Sequence, residues 1–501
     1  MDTDREAELA RRRRRRKRRR MRRRMIRIIV VTAFLLVVLA AAGGIWKVLR
    51  PEDGFLTVIG VEWPWGEWSW SGSDEEVMND ESVSYPAETM APMEWTEDGP
   101  VAVVPTELPE RFDLRQRGRT IHVPDQGTFS TCWAFAALTA VNTSMAEEAA
   151  VELSADHISL QNSFGLGQDA GGDYAMSSAY LLAWQGPVAE AEDPYGDGVS
   201  PEGLEPVCHV QEVQILAERD LEAIKRTVYE TGGVQSSFYM PRSAGRERDR
   251  YYNKETSAFY YPGDREANHD VVIVGWDDAF PKARFVSEPE ADGAFICMNT
   301  WGEGFGEEGF FYISYEDSRI GSHSVAYTAV EPVDNYDRIY QSDLCGWTGQ
   351  LGYGGSEAWF ANVYEAAAHE AIEAAGFYAT TPDTVYKVFA AAVDAEGSNA
   401  DVCLADRVLM AEGHVERSGY YTISFEQEFP VESGERFSVI VCLDSPGTSE
   451  PVAIEYRSGS RLSNVDIGDG EGYISPDGKT WQRTETTEEC NVCLKAYSRK
   501  R

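Results

Sequence analysis

A cysteine stands at the junction of a turn-rich loop and an apolar segment in Asp125-Gln-Gly-Thr-Phe-Ser-Thr-Cys-Trp-Ala-Phe135. Beyond Cys132, the residues Ala134, Leu138, Val141 and Met145 recur at steps of four, three and four, which predicts a helix with one buried face that opens at the cysteine. A thiol at a helix N-terminus feels the positive end of the dipole, which favours thiolate and makes Cys132 a candidate nucleophile. Taken alone, a Cys-Trp pair is more often packing than chemistry. Its neighbours change that balance. Gln126, six residues upstream, can aim its side-chain amide at an oxygen that gains charge when a carbonyl is attacked, together with the Cys132 backbone N–H. The missing base is His269, which on its own would be read as an ordinary core or surface histidine. Asn299 is placed to orient the imidazole, and Trp301 to shield that bond from water.

The elements that must carry these residues are legible in outline. Asn268-His269-Asp270 leads into the apolar run Val271–Gly275, and Ala294-Phe-Ile-Cys-Met-Asn299-Thr-Trp301-Gly302 is a second such run that ends in a Gly-rich turn; both are expected as buried strands. Helices are expected at 175–185 and, from Leu216, Leu221, Ile224 and Val228, at 216–230, with strands from Gly233 onward. Asp193-Pro-Tyr-Gly is a turn. The glycine pair Gly171-Gly172 permits close backbone approach, to a strand or to a ligand.

These pieces together resemble the papain-like cysteine peptidases. Gln126-Gly127, Cys132-Trp133-Ala134-Phe135, Ala170-Gly171-Gly172, Asn268-His269 with an apolar strand and Gly275, and Asn299-Thr-Trp301-Gly302 occur in that family's order, 137 residues from cysteine to histidine and 30 more to asparagine. The resemblance implies an α+β fold of two subdomains, helical around Cys132 and β-rich around His269 and Asn299, with a cleft between them. It further implies that Gly171 and Gly172 line the substrate edge, Gly172 hydrogen-bonding the peptide backbone next to the scissile residue. Three departures stand out. Phe129 replaces a disulfide cysteine usual in plant and animal members, Asp270 replaces a small residue after the histidine, and the loop 277–292 is long and acidic. No long amphipathic pro-helix is present. The resemblance covers 106–331.

Charge and hydropathy frame the rest of the 501 residues. Residues 1–50 hold 17 Lys and Arg against 4 acids, the other residues 29 against 79, a net of −50 that would repel nucleic acid. The run 28–46 is apolar and close to the ~20 residues that span a bilayer. With the arginine block on its N-terminal side, the expectation is a basic cytoplasmic tail (1–27), a single transmembrane signal-anchor (28–46) and an exterior remainder. The alternative is a signal peptide cleaved near Ala40-Ala41-Ala42 and a secreted product. Residues 47–105, acidic and Trp-rich, are expected as a linker, with a self-inhibitory segment as the sharper alternative. Export permits disulfides, and eight cysteines are present; pairing is not readable, and Cys490-x-x-Cys493 is expected to be structural rather than redox-active.

Residues 336–498 alternate short strand-like runs with turns, which predicts an all-β sandwich. Gly346-Trp-Thr-Gly, Trp359-Phe-Ala-Asn, Ala375-Gly-Phe-Tyr and Ser475-Pro-Asp-Gly-Lys-Thr-Trp resemble the lectin-like domain that follows exported bacterial papain-like peptidases, implying a glycan or a surface protein as a partner. Trp347, Trp359 and Trp481 are the candidates for sugar stacking, with buried packing the expected role of each. The seven histidines form no i,i+4 pair, and neither a serine-hydrolase elbow nor a phosphate loop is present, so no metal or cofactor is expected. The resulting expectation is a membrane-anchored extracellular cysteine endopeptidase acting on protein or peptide substrates. The alternative is an adhesin on a silent scaffold with the β-domain as its binding part.

Overall fold

The computed structural model describes residues 107–117, 122–145, 151–241, 247–393, 406–468 and 472–501. The tail, the 28–46 span and the 47–105 linker lie outside the described residues, as does Cys403. Among the described residues no helix is long and apolar enough to cross a membrane.

The cysteine opens a helix, Cys132–Ser144, as expected, and Ala134, Leu138, Val141 and Met145 are buried as their spacing predicts, within a buried face broader than those four. Trp133, Ala134, Ala136, Ala137, Leu138, Ala140, Val141 and Thr143 are all buried. Its four alanines let neighbours approach closely, and it packs between the helices Ala155–Leu160 and Tyr174–Leu182 and the strand His269–Asp277, leaving Cys132, Phe135, Thr139 and Asn142 as a half-buried stripe. The helix expected at 175–185 runs Tyr174–Leu182, fixed at its start by the Asp173 carboxylate, which accepts from the amides of Ala175 and Met176. The helix expected at 216–230 is shorter, Leu221–Glu230, capped by Asp220. Leu216 instead ends a strand, His209–Leu216, that pattern reading from Gly233 onward missed.

The strands Val234–Phe238, His269–Asp277, Ala294–Met298 and Phe310–Ser314 are successive antiparallel neighbours, with Ser324–Glu331 beyond Val234–Phe238. His209–Leu216 pairs with Ser324–Glu331 on one edge and with Gly419–Val431 on the other. Through that second pairing the sheet passes into the C-terminal region, continuing to Glu370–Ala379, Leu494–Lys500 and Arg338–Tyr340. Gly419 makes the junction possible: at φ +152° any Cβ there would stand 2.1 Å from the Val213 carbonyl oxygen.

A second sheet, in the order Val408–Val415, Thr384–Val393, Arg436–Asp444, Glu357–Glu365, Gly472–Ser475 and Gln482–Arg483, shares with the first a core that includes Phe360, Phe377, Val388, Val439, Val441 and Leu494. The C-terminal region is thus β-rich and two-layered. It departs from the expected all-β sandwich in one short helix, Thr484–Thr487, and in having one layer continuous with the preceding domain. The loop after the strand Val452–Tyr456 sends Leu462 and Val465 into the core around the Cys132 helix. The seven described cysteines are all unpaired; Cys490 and Cys493 are buried.

Candidate active site

Three short segments bring the chemistry together. Segment 124–126 runs beside 300–302: the Gln126 amide donates to the Thr300 carbonyl at 2.8 Å, and the Gly302 amide to the Pro124 carbonyl at 2.8 Å. This places Gln126 next to the residue that follows the strand Ala294–Met298. The Gln126 side chain is fixed at both ends, since Oε1 accepts from the Thr300 hydroxyl and Nε2 donates to the Phe129 carbonyl at 2.6 Å. One amide hydrogen of Nε2 is left for another acceptor. Below it, Tyr195 donates its hydroxyl to the Gln126 carbonyl at 2.9 Å and meets the Thr131 hydroxyl at 2.6 Å, tying this loop to the residue before Cys132.

His269 opens its strand and is buried. Its Nε2 lies 2.8 Å from Asn299 Oδ1, so Nε2 carries the hydrogen and Nδ1 is left as the basic nitrogen. Asn299 Oδ1 also accepts from the Thr300 amide at 2.8 Å, which fixes the side chain. Trp301 lies against the imidazole, with ring centroids 4.7 Å apart, and the Arg248 guanidinium covers Trp301 at 4.5 Å. On the other side, the backbone amides of Asp270, the residue after the histidine, of Trp133 and of Cys132 itself lie near enough to the Cys132 sulfur to favour its thiolate. Cys132 is therefore docked at the start of the His269 strand.

The electrostatics differ from the sequence expectation. Burial pushes the Cys132 thiol up to about 12, and the Asp270 carboxylate adds to this, outweighing the three amides that favour thiolate. Burial takes His269 down to about 4, assisted by Arg248 and opposed by the Asn299 hydrogen bond. Desolvation thus favours the neutral form of both groups, and a neutral imidazole is the form that can take a proton.

Asp270 is buried rather than solvent-facing. Its carboxylate accepts from Gln235 Nε2 at 2.8 Å and from the Ser237 hydroxyl at 2.6 Å, and desolvation raises its pKa to about 6. Gln235 in turn accepts from Tyr327, whose hydroxyl also meets Ser177. Gly171, at φ +77°, and Gly172 follow the short turn 168–170; a Cβ on Gly172 would lie 2.5 Å from the Trp133 ring. The structure therefore gathers Cys132, His269, Asn299, Gln126, Trp301, Gly171 and Gly172 in one region. Pattern reading gave no role to Thr300 or Tyr195, although both sit inside motifs it quoted, and gave none to Arg248, which no motif marked.

In the C-terminal region Trp347 and Trp481 are buried. Trp359 is half-buried, with the Arg407 guanidinium 4.4 Å over its ring and Gly478 packed against it.

Comparison with known proteins fits this arrangement. Residues 108–330 match the papain family cysteine protease model, and residues 339–498 the lectin like domain model. A probable cysteine protease of Arabidopsis thaliana is 26% identical over 247 residues, 45% of this chain and 64% of its own length. Cathepsin S of Bos taurus is 22% identical over 250 residues, 47% of this chain and 69% of its own length. The chain thus spans somewhat under two thirds of the Arabidopsis relative. Among solved structures, the clostridial cysteine protease Cwp84 after propeptide cleavage is similar with a TM-score of 0.69 at 24% identity, covering 78% of this chain and 99% of that one. The cysteine protease and lectin-like domains of the same surface layer associated protein from Clostridium difficile give 0.68 at 23% identity, covering 79% and 90%. These two show a shared fold across both regions. Residues 108–330 are accordingly a papain-family cysteine protease domain, followed by a lectin-like domain at residues 339–498.

Proposed function

We propose that this chain is a cysteine endopeptidase in which Cys132 attacks a peptide carbonyl, His269 takes the thiol proton at Nδ1 and returns it to the leaving amine, and water then hydrolyses the thioester. Asn299 holds the imidazole with Nε2–H turned away from sulfur, and Trp301 keeps water off that bond. The free hydrogen of Gln126 Nε2 and the Cys132 backbone N–H, which lies in the first helical turn without an intrahelical acceptor, receive the oxyanion. Gly171 and Gly172 offer a backbone edge to the substrate. The observation that carries the reading is the His269–Asn299 bond beneath Trp301, on a strand whose next amide lies near the Cys132 sulfur. An adhesin on a silent scaffold would have no need for a fully oriented imidazole and amide.

The peptidase works outside the cell on protein or peptide substrates, held by the 28–46 span with its basic tail inside, and its lectin-like domain binds a surface glycan or protein. The intact chain treated with an epoxysuccinyl thiol trap is expected to take one label, mapped to Cys132, with labelling strongly slowed in His269→Ala. Absence of label in folded, reduced protein would sink the peptidase reading. For location, a membrane-impermeant protease added to intact cells is expected to remove the two domains; their protection would refute the exterior placement.

A further inference from the structure

We propose that the lectin-like domain supplies a positioning arm for the substrate edge: Arg461, in the loop 457–468, holds Asp173 and through it the Gly171–Gly172 backbone, so that extended peptides bind well only while this contact is made. The inference rests on the peptidase reading above and adds to it a role for the second domain.

The glycine pair is an unusual piece of backbone. Gly172 lies flat against Trp133, the residue after the nucleophile, and among the described residues neither glycine pairs its backbone with another segment. Such an edge is free to pair with an extended peptide, but a free edge next to a residue at φ +77° needs anchoring. The anchor is the next residue. Asp173 is 2% exposed, and its Oδ1 accepts from the amides of Ala175 and Met176 and from Arg461 Nη2 at 2.7 Å. Two of those donors belong to the helix that Asp173 caps. The third arrives from a residue 288 positions later in the chain.

The arm itself is firmly built. The Gly165 amide donates to the Arg461 carbonyl at 3.0 Å, and a Cβ on Gly165 would stand 2.6 Å from the Ser460 carbonyl and the Ser463 hydroxyl, so that the loop lies directly on residue 165. The Arg461 guanidinium sits 5.3 Å over the Phe164 ring. Leu462 and Val465 are buried in the peptidase core, while Arg457 binds the Val465 carbonyl and Asn491 the Asp466 carbonyl from behind. A loop tied down at five points and ending on the carboxylate next to the glycine pair is suited to hold that edge in register. Arg461 is a positioning residue: it acts on substrate through Asp173.

The test uses the full chain with Arg461→Ala and Arg461→Lys. Three readouts are taken: the alkylation rate of Cys132 by iodoacetamide, and kcat and KM for two substrates, one extended by several residues N-terminal to the scissile bond and one carrying a single residue there. For Arg461→Ala the expected result is an increase of about tenfold in KM for the extended substrate, with kcat, the single-residue substrate and the alkylation rate each held within about twofold. Arg461→Lys, which keeps charge and stem, is expected to fall between and serves if the alanine variant melts below assay temperature. Equal losses on both substrates together with slowed alkylation would mean a general structural role and overturn the proposal, as would an unchanged KM for the extended substrate. Wild-type protein whose Cys132 resists iodoacetamide and turns over neither substrate fails the peptidase reading itself, a result distinct from either.

Discussion

Asp270 shares its position in the chain with the imidazole's immediate neighbour and its space with the thiol, so one carboxylate bears on both stability and reactivity. Its pKa is raised to about 6 by burial, so the folded protein holds this proton more tightly than the unfolded chain. Stability from this group is therefore greatest below about pH 4, falls as pH rises through 6, and above that the buried charge costs up to about 3 kcal/mol. His269, taken down to about 4, works in the opposite direction between 4 and 6.5, so wild type and variant must be compared at each pH. Asp270→Asn is expected to gain relative stability from pH 5 to pH 8 in urea titrations, and its Cys132 alkylation profile is expected to shift to lower pH because a charge opposing thiolate is gone. Gln126→Ala is expected to lower kcat about 10²-fold, or ~3 kcal/mol, with little change in KM, measured on one peptide substrate. Removing the Arg248 charge with Arg248→Gln lets the imidazole protonate more readily, so the acid limb of kcat/KM is expected to move upward by a few tenths of a pH unit. Cys132, His269, Asn299 and Gln126 were legible as candidates because the proposed nucleophile, base, orienting amide and oxyanion donor are distinct residue types in a fixed order. The burial of Asp270 was not, because its partners Gln235 and Ser237 lie more than thirty residues away on a neighbouring strand.

Among the elements, the helix that opens at Cys132 and the two strands that carry His269 and Asn299 were readable from apolar spacing alone. What spacing could not convey was how many sides each element buries. The Cys132 helix is buried on all but one stripe, so its alanines count as much as its large residues. The strand His209–Leu216 escaped notice because Gln211, Glu212 and Gln214 break its apolar pattern, and those polar residues find partners far off in the chain, in Thr422, Thr328 and Arg417, as well as in the Gln214–Glu212 bond along the strand. Close backbone approach is similarly a tertiary matter. Gly419→Ala is expected to destabilise the protein by about 2–4 kcal/mol in chemical denaturation, since its Cβ would press on the Val213 carbonyl at a strand junction with no room to yield. A change in that range would show that the junction is loaded in solution, and a change under 0.5 kcal/mol would show that it is not.

For the molecule as a whole, a boundary between the two domains falls where sequence similarity changes from one family to another, yet the sheet and the core cross it. Heat is therefore expected to unfold both domains in one calorimetric transition, whose calorimetric and van't Hoff enthalpies agree; two resolved transitions would separate them. With all seven described cysteines unpaired, reductant is expected to leave that transition where it is. The contact from Arg461 to Asp173 has one more consequence, in time rather than in space. At roughly 5–20 residues per second of synthesis, the 288 residues between them take on the order of 15–60 s to appear. For the last 162 of those residues, after Asn299 has been made, Cys132, His269 and Asn299 are all present in the chain while Arg461 is not. On the proposal above, the growing chain passes that period without the contact that gives it a firm grip on extended peptides, its own unfolded segments included.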